Sequence, residues 1–273
     1  MVKKYSVLLS LYMEEKPCYL KQSINSMINQ TIKPDEIVIV KDGPLTTELE
    51  IVLDRYISRY PNLFKIVISK ENIGLGKALN LGLDSCKNEL VARMDTDDIS
   101  KPERCEKQLE LFNSNTNLSL VGTNVDEFFD NPERVISTRK VPSKQSDIYN
   151  FSKRRSAFNH PTVMYKKSIV FQFNGYSDLR RNQDVDLFGR MLYGGCVAQN
   201  IDESLLLFRS NDSLTKRRKS WENSKSYMNV IKKFWKIGYA SFWDYCIVVI
   251  GQLAIALFPI KVQKIIYKKF LRK

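Results

Sequence analysis

One histidine, His160, stands in 273 residues, so a metal centre built from several imidazoles is excluded. The five cysteines (Cys18, Cys86, Cys105, Cys196, Cys246) are odd in number and lack the paired spacing of a metal site. They suit a reducing compartment and mostly inert, buried thiols. The start, Met1-Val2-Lys3-Lys4-Tyr5, leads into a strand rather than a signal peptide, because its apolar stretch is too short and no small-residue cleavage site follows. No Gly-Lys-Ser/Thr ending occurs, which excludes a P-loop. Internal repeats and low-complexity linkers are also missing. Acids become scarce late in the chain. From Ser213 onward there are fourteen Lys or Arg and two acids, Glu222 and Asp244, leaving the first 212 residues about +1 of the total +13. The larger part is therefore not a basic nucleic-acid binder, whereas the tail seeks an anionic surface.

What is present reads as alternating strands and helices. Tyr5–Leu11, Glu36–Val40, Phe64–Ile68, Glu89–Met94 and Leu118–Gly122 are apolar, β-branched runs. Between them Leu20/Ile24/Met27/Ile28, Leu49/Leu53/Ile57 and Ala78/Leu79/Leu83 recur at helical spacing. Ser100-Lys101-Pro102-Glu103 predicts a capping box opening a helix that runs to about Asn113. The pattern predicts an α/β fold with a mostly parallel, doubly wound sheet and ligands at the strands' C-terminal ends. After residue 125 the pattern loosens to an edge strand over Val135–Val141, a helix over Asp186–Leu192 and a strand over Ser204–Arg209. Lys153-Arg154-Arg155 reads as a solvated loop.

Leu90-Val91-Ala92-Arg93-Met94 runs straight into Asp95-Thr96-Asp97-Asp98. Three carboxylates this close repel each other unless a cation or solvent compensates. At the end of a strand such a cluster points to a hard divalent cation, Mg²⁺ or Mn²⁺, whose remaining ligands come from water and substrate phosphate. A solvated turn or helix cap is the plainer alternative. A calcium loop is not: Asp95, Asp97 and Glu106 fit its positions, but Ser100 replaces the required glycine, Ile99 replaces an oxygen ligand, and Pro102 interrupts it.

The longest uncharged run, Tyr245–Ile260, spans about 24 Å as a helix, short of the roughly 30 Å hydrocarbon core. Beyond it Val262, Ile266 and Phe270 share one helical face, and Lys261, Lys264, Lys268 and Arg272 the other. That is a basic amphipathic helix suited to lying on an anionic membrane, or else to packing on a partner.

Six segments in order carry a resemblance: Ser6–Ser10, Val38–Pro44, Asn72–Asn80, Ala92–Ser100, His160–Met164 and Gln183–Leu187. Together they resemble a family 2 glycosyltransferase of the GT-A fold, of the type that builds bacterial capsule, O-antigen or exopolysaccharide. The resemblance spans roughly residues 5 to 210. It implies a GT-A domain over 1–212, nucleotide-binding to about 125 and acceptor-binding from 126, with 213–273 as a basic membrane-association segment.

The resemblance also implies roles. Asp42 accepts hydrogen bonds from the nucleotide base, as an ionised carboxylate can; alone it would read as a turn Asp before Gly43. Asn72, Gly74 and Gly76 form a turn against the nucleotide, and Lys77 reaches phosphate. Asp97 ligates the divalent metal, and Asp95 contacts the ribose or a metal-bound water, with Asp98 close by. Arg93 pairs with the acidic cluster or with the nucleotide, or only balances charge. His160 lies near acceptor or diphosphate, and Arg209 binds diphosphate. Asp184 is the catalytic base that takes the proton of the attacking hydroxyl, with Asp186 the neighbouring alternative and a helix N-cap the plain reading. Gln183 stands where the family often has Glu.

The expected activity is inverting transfer of one sugar from a nucleotide-sugar, UDP-linked by expectation, to a polyprenyl-diphosphate-linked saccharide, by an enzyme peripheral on the cytoplasmic face of the membrane. A sugar-nucleotide pyrophosphorylase would need a glycine-rich loop where Tyr12-Met13-Glu14-Glu15-Lys16 stands. A membrane-recruited scaffold that binds nucleotide-sugar without turnover is the non-enzyme alternative.

Overall fold

A computed structural model describes residues 4–210 and 220–257. Nine strands form one sheet in the order β3-β2-β1-β4-β8-β6-β9-β5, with β7 paired to β6. The first four, β1 (Tyr5–Leu11), β2 (Glu36–Asp42), β3 (Phe64–Ser69) and β4 (Leu90–Arg93), are parallel neighbours, as the alternation predicts. They are linked through α1 (Pro17–Ile28), α2 (Thr47–Arg59) and α3 (Leu75–Ser85). Beyond β4 the sheet is mixed. The short β8 (Met164–Lys166) runs antiparallel to both β4 and β6 (Leu118–Phe128), whereas β6 and β9 (Val197–Arg209) are parallel. β6 crosses position 125 without a break.

Helices cover both faces, so the strands are apolar on both sides rather than alternating with polar residues. Leu8, Val38 and Val40 face α3 (through Ala78, Leu79 and Leu83), α7 (Gln183–Tyr193) and α8 (Trp221–Lys236). Their neighbours Val7, Leu9, Ile37 and Ile39 face α1, α2 and α4 (Arg104–Ser114). This is the period of two of a strand with each side buried against a helix layer.

Two readings change. The capping box does not form: α4 begins at Arg104, and Glu103 at its N-cap makes no side-chain hydrogen bond there. Ser100 instead lies in the two-residue β5 (Ile99–Ser100), paired with Leu206 of β9, and its hydroxyl accepts from Gln30 Nε2. A long-range strand pair outcompetes a local cap. The basic triplet is not simply solvated. Arg154 pairs with Asp244, Lys153 lies over the Tyr149 ring and Arg155 over that of Phe151.

The edge strand is real but short, β7 (Ser137–Arg139). Helices α5 (Gln145–Ser152) and α6 (Lys167–Gln172) complete the middle of the chain. α8 is part of the core: Val230, Ile231 and Phe234 are buried in the cluster that holds α7. α9 (Phe242–Leu257) follows it. The amphipathic pattern at Val262, Ile266 and Phe270 lies outside the described residues, and no described helix is long and apolar enough to cross a membrane.

Candidate active site

Strand order reverses between β1 and β4, and ligands bind at such a switch point, beyond the strands' C-terminal ends. Both strands end there, β1 in the Tyr12–Lys16 loop and β4 in the Asp95–Asp98 loop. One carboxylate oxygen from each of Asp95, Asp97 and Asp98 falls within a common 4.8 Å. Asp95 is held by an ion pair with Arg93, which is buried at the end of β4. Asp98 is fully buried; its Oδ1 accepts from the Arg209 amide at 2.8 Å, while Oδ2 has no partner. Asp97 is left without an ion pair among the described residues.

The electrostatics of this cluster are those of a cation trap. Burial, then the charges of Asp95 and Glu15, push the Asp97 carboxyl up to about 7. Burial, Asp97 and Asp95 push Asp98 well above the carboxylate range. A cation among these oxygens would offset the repulsion and favour the ionised carboxylates. The orphaned Oδ2 of Asp98 and the all-oxygen donor set fit a hard divalent ion.

Two groups here were not singled out in the sequence. Glu15, from the β1 loop, accepts from Thr96 Oγ1 at 2.6 Å and is itself pushed up by burial. Tyr19 on α1 stacks under the Arg209 guanidinium, 3.8 Å from the ring centroid. Only the fold brings them to an acidic loop more than seventy positions away, and no local pattern marks them.

On the other side of β1, Asp42 closes β2. Its Oδ1 accepts from the Ile73 amide at 2.7 Å and so ties the β2 turn to the Asn72–Gly76 turn. Gly43 has φ +89°, and a Cβ there would stand 2.9 Å from the Asn72 nitrogen, so the contact requires glycine. Asn72, Gly74, Gly76 and Lys77 line a cleft of about 320 Å³ with Ser177 and Arg180 opposite. Lys77 Nζ pairs with Asp178 Oδ2 at 2.8 Å across it.

α7 distinguishes its two acids. Asp186 is fully buried and engaged on both oxygens, by Arg190 and Lys233 at 2.8 Å each and by the Ser177 hydroxyl. It holds α7 to α8 and is unavailable as a base. Asp184, the second residue of the helix, is half-buried and forms no ion pair among the described residues; burial raises its carboxyl. The N-cap is Asn182, not Asp184. Arg93 links the halves: its charge acts on Asp95, on Asp184 and on His160. His160 Nε2 meets the Tyr176 hydroxyl at 2.9 Å, and burial, then Arg93, keeps the imidazole neutral. Tyr176 is the third group the sequence did not mark.

Arg209 is engaged within the protein. Its Nε donates to the Asp97 carbonyl at 2.8 Å and its Nη2 to Gln22, and the side chain is buried between the Tyr19 and Phe128 rings. It braces the acidic loop, its guanidinium held by these partners.

A doubly covered sheet with an acidic loop at its switch point and a free carboxylate facing it is the architecture of a nucleotide-sugar-dependent transferase. Residues 6–180 match the model of Glycosyl transferase family 2, and the chain belongs to that family. It is 35% identical over 270 residues, covering 99% of this chain and 97% of the relative, to an Escherichia coli UDP-Gal:alpha-D-GlcNAc-diphosphoundecaprenol beta-1,3-galactosyltransferase. It is 34% identical to the amylovoran biosynthesis glycosyltransferase AmsE of Erwinia amylovora, over 97% of this chain and 98% of that one. Among solved structures, S. aureus TarS 1-349 in complex with UDP-GlcNAc superposes with TM-score 0.67 at 15% identity, covering 92% of this chain and 72% of that one. The mannosyltransferase PcManGT of Pyrobaculum calidifontis, in complex with GDP-Man and Mn2+, does so with TM-score 0.65 at 13% identity, over 97% and 79%. These two show the fold. The protein is a glycosyltransferase.

Proposed function

We propose that the protein transfers a single sugar, with inversion, from a UDP-sugar to a saccharide carried on a polyprenyl diphosphate, in surface-polysaccharide biosynthesis. The carrying observation is Asp184: a carboxylate with raised proton affinity and no ion pair among the described residues, within electrostatic reach of Arg93 and Asp95. In the reaction the acceptor hydroxyl oxygen bonds to the anomeric carbon as the bond to the diphosphate breaks, and Asp184 takes the hydroxyl proton. A single displacement of this kind inverts the anomeric centre.

Asp42 and the Asn72–Gly76 turn receive the nucleoside, and Lys77, released from Asp178, reaches phosphate. Arg93 holds Asp95 toward the ribose and keeps His160 neutral as a hydrogen-bonding group near the acceptor. Asp97 with Asp95 would hold a divalent cation, Mn²⁺ or Mg²⁺, which when bound neutralises charge on the departing nucleoside diphosphate. Nucleotide choice is supported by the UDP-sugar named for the Escherichia coli relative, and the lipid-linked acceptor by its diphosphoundecaprenol substrate. The basic tail supports attachment to anionic lipid on the cytoplasmic face.

A thermal-shift screen of UDP, GDP, CMP and dTDP sugars, each with and without Mn²⁺, tests the donor reading on wild type and Asp97→Ala. The expected result is a metal-dependent rise with UDP alone, lost in the variant. A rise with another nucleotide reassigns the donor, and none at all in folded protein removes the donor reading.

A further inference from the structure

The C-terminal helix of the described structure presents an outward stripe that no other described residue covers. On α9, Trp243 is 72% exposed and Ile250 67%, with Ile247 between them and Phe242 and Leu253 alongside. Positions 243, 247 and 250 share one helical face. The helix has one charged residue, Asp244, and it points inward: it accepts from the Ser241 amide and hydroxyl and pairs with Arg154. The outward face therefore carries no charge. Exposed Lys232 and Lys236 lie on the adjoining α8. In sequence, the sixteen residues after α9 contain six Lys or Arg and no acid.

We infer that this stripe of α9 is a membrane-docking surface, lying in the plane of an anionic phospholipid bilayer and fixed relative to the helix that carries Asp184. An apolar, Trp-bearing face with exposed lysines on the adjoining helix suits an interfacial helix: indole and isoleucine enter the headgroup and acyl boundary while cations stay on the phosphates. At sixteen residues the helix spans about 24 Å, too short to cross and long enough to lie flat. The inference rests on the reading that the acceptor is lipid-linked, and it adds which surface meets the lipid.

Rigidity is what makes the surface useful. Trp235 of α8 stacks on Tyr245 of α9 with centroids 5.6 Å apart. Phe234 of α8 fills the space over Gly189 of α7, where an added Cβ would stand 2.0 Å from the ring. Lys233 reaches Asp186 on the same helix at 2.8 Å. Docked lipid and catalytic helix are thus joined by packed contacts rather than by a linker, so the site is held at one orientation to the bilayer.

The test uses the full chain. W221F/W235F leaves Trp243 as the sole tryptophan. With vesicles of phosphatidylglycerol and phosphatidylethanolamine its emission moves to the blue and is quenched by brominated acyl chains, and phosphatidylcholine vesicles give neither change. I247E/I250E lowers partition to those vesicles by about tenfold or more and leaves the thermal shift by UDP with Mn²⁺ unchanged. Vesicle binding with Trp243 unquenched overturns this face while leaving membrane attachment standing. Absence of vesicle binding, with the UDP shift present, overturns docking but not the donor reading. A wild-type dimer that I247E/I250E dissociates assigns the stripe to a second copy and overturns the inference. The quenching arm does not depend on the glutamate variant folding.

Discussion

The main-chain amide of Arg209 donates to the Asp98 carboxylate at 2.8 Å across 111 positions of sequence. The same residue's Nε donates to the Asp97 carbonyl. The last residue of β9 therefore sets the shape of the loop that follows β4, and it does so through both main chain and side chain. Tyr19 and Phe128 clamp the guanidinium plane from either side.

Arg209→Lys keeps the charge but loses the planar fork and its stacking. We expect kcat/KM to fall by about a hundredfold, the effect of a misplaced active-site group, together with a smaller Mn²⁺-dependent thermal shift. If lysine restores both quantities, Arg209 contributes charge alone and does not position the loop.

Asp184→Asn should reduce kcat by about 10²–10⁴-fold, the contribution of a general base, with UDP binding intact. Burial raises this carboxyl. The free base is the active form, so wild-type kcat/KM climbs with pH through a value above that of an ordinary aspartate and is lost below it. That acid limb should be absent from the residual activity of the variant. A variant profile with the same limb assigns it to another group.

Asp186→Asn removes the buried acceptor shared by Arg190 and Lys233. Breaking one partner of such a cluster costs about 3 kcal/mol, read as a lower unfolding midpoint at neutral pH. Burial would raise Asp186, but Lys233, Ser177 and Arg190 together hold it below the usual range. A depressed folded value means the stabilisation is complete above the unfolded pKa of about 3.9 and is lost as pH falls through the folded one. The gap between wild type and variant should thus close in acid; a gap that is constant down to pH 2 (roughly the bottom of that window) contradicts the ion-pair account.

Gly43→Ala places a methyl against the Asn72 nitrogen at a φ of +89°. The strain is about 1–3 kcal/mol, and relief of it moves the Asn72 turn away from Asp42. A weaker UDP affinity, measured by calorimetry, should accompany the lower stability. Unchanged affinity would show that the two turns are not coupled.

The four parallel strands were legible because each is a short β-branched run between helix patterns, and burial on both faces leaves no ambiguity of side. The β8 insertion was not, since three residues carry no period. Ser100 shows the limit most clearly: its local sequence encodes a helix cap, and β9, about a hundred residues later, takes it as a strand. In the candidate site, Asp42, Asn72, Arg93, Asp95, Asp97 and Asp184 were read as motif positions, and the fold sets their relative placement.

Residue chemistry along the chain determined that carboxylates cluster at the end of a strand, that no multi-histidine centre exists and that positive charge gathers late. Tertiary structure alone decided which of Asp184 and Asp186 is free, that Glu15 and Tyr19 join the acidic loop, and that Arg209 braces this loop. Those outcomes depend on which side chains meet across the fold. A carboxylate's partners, and hence its charge state and availability, are properties of three-dimensional neighbours that sequence spacing does not encode.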